Sequence, residues 1–524
     1  MLTARNAPAW SSIIFSCFLV FAPVSAADWP MFAHDPMRTG WASEERSLSP
    51  LNVSRLELKW KVQVNNEPRF LTALTAPIVA TEVETSEGAR TLVYVAGSSN
   101  NFHALDAKNG AVVWTRKFDT RLAATGGPFQ GSWVCPNGIT ATPVIDRGTQ
   151  TVYVIGMDGR FYGLDLASGK DRFPPIPFVA PFSKNWSLNV VDGVVYTSLS
   201  QNCGDGASGF YSIDVSNPRR PLVRRLLLSS TDSAGIWGRG GPVVGRNHRI
   251  YGLTADGIAD PSRGEFSSSV VAGSLPDLDL ADYFTPSDWQ QITKDDLDMG
   301  SASPVWLTYK NTNLLAGGGK QGVVYLMDAD SLGGKDHQTP LFVTPRLGND
   351  HRGAFEGIFG ALSYWRDDTG ESWIYVPMWG PVSKTAPEFP QVNGPNPNGS
   401  IMAFKVATDP VSKKPLLKPA WISRDFDPPD PVVIASGVVF ALSTGENPNQ
   451  LKDRLQDTQP AVLYALDAKT GRELYNSGRA INGWVHFSGL ALADGCIYVV
   501  DHDSRVYCFG LRENNIRNAI PNLK

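Results

Sequence analysis

At 524 residues the chain could hold several domains, although large closed all-β folds run well past ordinary domain size as one unit. With 42% hydrophobic residues, 49 Gly and 38 Pro, it reads as a globular protein rich in turns, with ample material for a core. A formal net charge of −4 and the absence of any basic block exclude an electrostatic footprint for nucleic acid, so the expected partner is a small molecule or another protein.

Residues 1–26 carry Arg5, an apolar run from Ile13 to Ala22, and Val24-Ser25-Ala26, the small-x-small pattern a signal peptidase accepts. A signal peptide cleaved near Ala26 is predicted, giving a periplasmic or secreted protein. The apolar run is too short for a permanent helix across a bilayer, so no transmembrane span is expected in the mature form. That form keeps Cys135, Cys203, Cys496 and Cys508, an even number in an oxidising compartment; three connectivities are open and spacing does not choose among them. No Cys-x-x-Cys-His occurs, so electrons, if any move, must leave to a separate acceptor protein.

Next comes Leu56 to Val62, a strand without partners of its own, and then a repeat. Its clearest copies are Val93-Tyr-Val with Phe102-His-Ala-Leu-Asp-Ala-Lys-Asn-Gly110 and Trp114, Val152-Tyr-Val with Phe161 to Gly169, and Leu463-Tyr-Ala-Leu-Asp-Ala-Lys-Thr-Gly471. Weaker copies lie at 195–214, 250–272, 323–328, 374–404 and 497–509, which makes eight. Each supplies about four short strands whose apolar face cannot be buried alone, so neighbours pack radially and the ring closes. The predicted fold is all-β: a single eight-bladed β-propeller over 27–524, built of four-stranded antiparallel sheets. Leu56–Val62 completes the last blade beside 497–511, so that both termini close it and remove an exposed edge. The recurring Asp106, Asp165, Asp214, Asp328 and Asp467 precede turns and are read as structural, bonding to backbone.

Residues 296–330 carry the charged pair of interest. Asp298 precedes the first strand of its blade and Lys320 lies in the Gly-rich turn between the second and third, so both sit at one end of the ring and can face one cavity. Two long interruptions, Gly380 to Gly399 and Gly445 to Pro460, fall between second and third strands and should rise from that same end, as lids or partner contacts. The seven His show no His-x-His or His-x-x-x-His spacing, which argues against a His-rich copper or zinc site. His351, Arg352, Glu356 and His486 lie near strand starts at the presumed active end.

The Ala-Leu-Asp-Ala-x-x-Gly-x-x-x-Trp pattern of residues 104–114, with the opening Asp28-Trp-Pro-Met-Phe-Ala-His-Asp35 and Leu48 to Trp60, resembles the quinoprotein alcohol dehydrogenase-like propellers. That superfamily includes dehydrogenases using pyrroloquinoline quinone with Ca²⁺, cofactor-free members such as tetrathionate hydrolase, and non-enzymatic scaffolds of outer-membrane assembly. The resemblance implies oxidation of an alcohol-like substrate, with Asp298 as general base and Lys320 stabilising the reduced quinone. It further implies Trp237 stacked beneath the quinone, and Asp256, Asp298 and Asp205 as oxygen ligands for Ca²⁺. Trp133, Trp379 and Trp484 are expected at the same mouth. Cys135 stands where the dehydrogenases carry an adjacent cysteine pair over the quinone. With one cysteine there, a Cys135–Cys203 bridge is implied as the substitute. The chain also lacks the family's quinone-carboxylate Arg near Asn137-Gly138. The alternatives are a cofactor-independent hydrolase using Asp298 on water, and a non-catalytic scaffold that binds a partner through its loops.

Overall fold

The computed structural model describes residues 27–119, 131–132, 134–230, 235–448 and 455–513; the predicted signal peptide and Trp133 lie outside these. No helix of the described residues is long and apolar enough to cross a membrane. Eight antiparallel sheets form the blades of a propeller. In blade 1 the strands run Ile78–Thr85, Gly88–Ala96, Asn101–Asp106 and Val112–Lys117. Blade 5, which carries the charged pair, runs Val305–Tyr309, Thr312–Gly317, Tyr325–Asp328 and Phe342–Val343. In blade 8, Leu56–Gln63 pairs antiparallel with Arg505–Leu511, so the first strand completes the last sheet as expected.

Burial explains the reading of the strands. Inner strands are covered on both faces by neighbouring blades, so Val438–Ser443 is buried along its whole length and reads as an unbroken apolar run. The outermost strands, such as Val112–Lys117, face solvent on one side and alternate. The repeat also encodes the contact between blades. Trp60 donates through Nε1 to the carbonyl of Ala107, Trp114 to Leu166 and Trp421 to Ala468, each reaching the turn of the next blade. Each indole lies on the glycine of that turn. A Cβ at Gly110, whose φ is +74°, would fall 2.6 Å from the Trp60 ring, so this position requires glycine for both conformation and space. The repeated aspartates do what their position predicted: Asp106, Asp165 and Asp467 accept backbone N–H groups of their own turns.

The segment from Trp29 to Glu45 runs inside the ring and bonds to every blade. Trp29 exchanges backbone hydrogen bonds with Val79 of blade 1, and the carbonyl of Pro30 accepts from Ile145 of blade 2. The Asn189 amide of blade 3 donates to Pro36, and Val244, Trp306, Tyr364 and Ile434 of blades 4 to 7 donate to Pro36, Met37, Thr39 and Gly40. The carboxylate of Glu45 accepts from Gly495 of blade 8. Arg38 is fully buried on this segment, donating to the carbonyls of Phe32, Ser187 and Leu188; burial pushes its pKa down to about 9 despite the nearby Asp35.

The first long interruption does not rise as a lid. Gln391–Val392 pairs in parallel with Trp421–Ile422, and Asn393 donates to Ile422 and Thr470, so the loop folds outward along blade 6. Of the second, residues 449–454 lie outside the described set.

Candidate active site

A cavity of about 310 Å³ opens at one end of the ring axis. Its walls come from segments that lead into innermost strands and from turns between second and third strands: Lys184 and Trp186, Trp237 and Arg239, Asp256, Asp296 and Asp298, Lys320, Phe359, His486 and Phe487. Asp298 and Lys320 meet because Gly319 lets the turn lie flat on the opposite backbone. A Cβ there would stand 2.1 Å from the Asp298 carbonyl, which accepts the Lys320 N–H at 3.0 Å.

The Lys320 ammonium is held by two carboxylates, Asp298 Oδ2 at 2.8 Å and Asp296 Oδ1 at 2.8 Å. Burial opposes its charge, but Asp298 and Asp296 outweigh it and hold its pKa above the ordinary lysine value. The same Nζ lies 5.5 Å from the centre of the Trp237 ring. Asp298 Oδ1 accepts the backbone N–H of Asp256 at 2.9 Å. Asp256, Asp296 and Asp298 bring ligand oxygens within 4.8 Å of one another. Desolvation, then the charges of Asp298 and Asp296, push the Asp256 carboxyl up to about 9. Its Oδ1 is buried without a partner among the described residues. Three crowded carboxylates with an orphaned buried oxygen fit a hard, oxygen-seeking divalent cation such as Ca²⁺, whose charge would relieve their repulsion. The flat Trp237 ring beneath an ammonium, its edge packed by Phe359 at 6.2 Å, likewise fits a planar quinone.

The crowding has a measurable consequence. Because Asp256 titrates higher in the folded chain than in the unfolded one, between about pH 4 and pH 9 the folded state holds a proton that the unfolded state has released. Stability from this group is therefore lost as pH rises through that window. In chelator-treated protein, Asp256→Asn should raise Tm relative to wild type by roughly 2 °C or more at pH 8 and by less at pH 5. A lowered Tm at pH 8, read by scanning calorimetry, would show that the carboxylate is stabilising.

Other expected site residues lie elsewhere. Asp205 is exposed, with φ 62°, outside the acidic cluster; Asp296 stands beside Asp256 and Asp298 instead. Trp379 is fully buried behind Phe359, which stacks on it at 4.4 Å, and donates to the Pro429 carbonyl. Trp484 stacks on His502 at 4.2 Å, leaving His486 and Phe487 at the cavity. Cys135 is bonded to Cys203, as expected, with Cα atoms 5.6 Å apart; the neighbouring Val134 lines the cavity. Cys496 and Cys508 are free thiols on paired strands of blade 8.

Lys184, Trp186, Arg239 and Asp296 were not singled out from sequence. A period-two signal was present for Lys184/Trp186 and Trp237/Arg239, each two residues apart, since extended chain sends such side chains to one face; Asp296, in a turn with φ 54°, gave no such signal. His486, noted from its place near a strand start, pairs through Nδ1 with the buried Glu446 at 2.7 Å.

The PQQ_2 family model, described as outer membrane protein assembly factor BamB, matches residues 22–247. A quinohemoprotein alcohol dehydrogenase of Comamonas testosteroni is 28% identical over 144 residues, an alignment spanning 28% of this chain and only 17% of that protein. The crystal structure of that enzyme superposes with a TM-score of 0.58 at 16% identity, covering 95% of this chain and 83% of the other. A europium-containing methanol dehydrogenase gives 0.59 at 14% identity, covering 93% and 98%. Over residues 22–247 the chain matches the repeat family, and its described residues share the propeller fold of these dehydrogenases.

Proposed function

We propose that this chain is an exported oxidoreductase that oxidises an alcohol-like substrate with pyrroloquinoline quinone. The reading rests on one observation: the ammonium of Lys320, ion-paired with Asp298 at 2.8 Å, stands over the Trp237 indole at the mouth of the ring's axis. Two relatives of the same fold are by name an alcohol dehydrogenase and a methanol dehydrogenase, which supports it. The bound quinone supplies the acceptor for the carbon-bound hydrogen and its electron pair, with Ca²⁺ as Lewis acid. Asp298 takes the hydroxyl proton of the substrate, kept ready by the ammonium of Lys320 and the N–H of Asp256. Lys320, held on both sides by carboxylates, stabilises negative charge that develops above Trp237. Asp256, Asp296 and Asp298 hold the cation. Phe359 and Phe487 exclude water from one wall. A separate protein accepts the electrons.

The test is titration of purified protein with pyrroloquinoline quinone and Ca²⁺, followed by absorbance and by alcohol-dependent reduction of an artificial dye. Saturable quinone binding with dye reduction is the outcome expected. Absence of quinone binding would overturn the reading and leave the hydrolase, if Asp298 is needed for turnover of another substrate, or the scaffold.

A further inference from the structure

Besides the acidic cluster, the same cavity is lined by two basic residues, Lys184 and Arg239, that the proposed chemistry does not use. Lys184 Nζ lies 5.1 Å from the centre of the Trp186 ring and the Arg239 guanidinium 5.6 Å from it, so two cations flank one indole. The indole is fixed by donation from its Nε1 to Ser200 Oγ at 2.8 Å. Arg239 is 7% exposed. Its position is set by the carbonyls of Phe487 at 2.6 Å and His486 at 3.3 Å, and that of Lys184 by the Val134 carbonyl at 2.6 Å.

Among the described residues no carboxylate oxygen lies within 4.0 Å of either cation. Lys320, by contrast, has two. Burial and the charge of Arg239 push Lys184 down to about 7. The buried carboxylates of Asp430 and Glu446 act on Arg239 only at longer range. With carbonyls as their hydrogen-bond partners among the described residues, the two cations have N–H donors to spare for an anion. A lysine and an arginine over an indole plate suit a small planar anion such as a carboxylate.

We propose that Lys184 and Arg239, flanking Trp186, form an anion subsite, and that the substrate is therefore an alcohol that also carries a carboxylate or similar small anionic group. The alcohol half of this statement rests on the dehydrogenase reading above; the anion half rests on the two basic residues. Calorimetric titration of the quinone-free protein with 4-(hydroxymethyl)benzoate and with its neutral counterpart 4-methylbenzyl alcohol tests it without turnover. The carboxylate should bind at least tenfold more tightly. Lys184→Met should remove most of that preference while the neutral alcohol binds as before, and Lys184→Arg should restore much of it. Arg239→Met, checked for folding by its melting curve, should act in the same direction.

Equal binding of the two alcohols, or a preference unchanged in Lys184→Met, overturns the proposal. Titration of the same variants with pyrroloquinoline quinone, itself a carboxylate, separates the sources of the anion. A loss confined to the quinone assigns the pair to the cofactor and overturns the substrate class. The preference with no dye reduction sinks only the dehydrogenase reading, and dye reduction without the preference sinks only this one.

Discussion

Replacing Asp298 by Asn should lower kcat by roughly 10³ with alcohol substrate, at saturating quinone and Ca²⁺, while leaving the melting temperature within about 2 °C of wild type. The two halves of this expectation have separate causes. Asparagine keeps the shape of the side chain and an oxygen that accepts the Asp256 N–H, now made at 2.9 Å. Lys320 keeps its second carboxylate, Asp296 at 2.8 Å, so the ammonium is not left uncompensated. What is lost is the ability to take a proton. A variant turning over within threefold of wild type would remove Asp298 from the mechanism. A fall of many degrees in Tm would make it a structural turn residue.

Lys320→Met should fail in both respects, and this contrast is the sharper test of the pair. Lys320 is 6% exposed, and its ammonium bridges Asp298 and Asp296. Removing it leaves these two and Asp256 facing one another with ligand oxygens within 4.8 Å and no counter-charge. Deleting one partner of a buried ion pair costs about 3–5 kcal/mol, and the exposed flank of Asp296 reduces this to roughly 3 kcal/mol here. Activity should fall at least 10²-fold, since the fixed positive charge over Trp237 is gone. Millimolar Ca²⁺ should return much of the lost stability by neutralising the carboxylates, yet little of the activity. Unfolding by urea with and without Ca²⁺, beside dye-coupled rates, reads both. Unchanged kinetics would argue against the role assigned to Lys320.

The fold was legible because its instructions are local. An aspartate that ties its own turn, a glycine with positive φ and a tryptophan that docks on the next glycine all fall within one repeat, as Asp106, Gly110 and Trp114 show. Asp298, Lys320 and Trp237 were legible by their stations at strand ends. The rest of the pocket depends on which way a side chain turns at such a station, and neighbours decide that. Trp379 holds an expected place in the chain, but Phe359 packs over it and takes the cavity face. Asp205 follows Cys203 in a short turn of left-handed backbone that points it to solvent. Asp296 and Phe487, with φ of 54° and 49°, reach the cavity through strained conformations that sequence does not announce, each costing about 1 kcal/mol or more. The Cys135–Cys203 bridge joins residues 68 apart, a distance at which spacing alone carries no instruction.

The inner segment from Trp29 to Glu45 changes how the ring should come apart. Blades that touch only their neighbours would open singly, like units of a linear array. Here one short stretch holds backbone or side-chain bonds to all eight, so opening any blade strains a tie shared with the other seven. The amide hydrogens of Ile145, Val244, Trp306, Tyr364 and Ile434, spread around the whole circumference, should then exchange with solvent at a common slow rate set by global unfolding. The same stretch precedes every blade in the chain and has no complete seat until the eighth is in place, which makes it the last piece to lock, like the cord drawn through a finished string of beads.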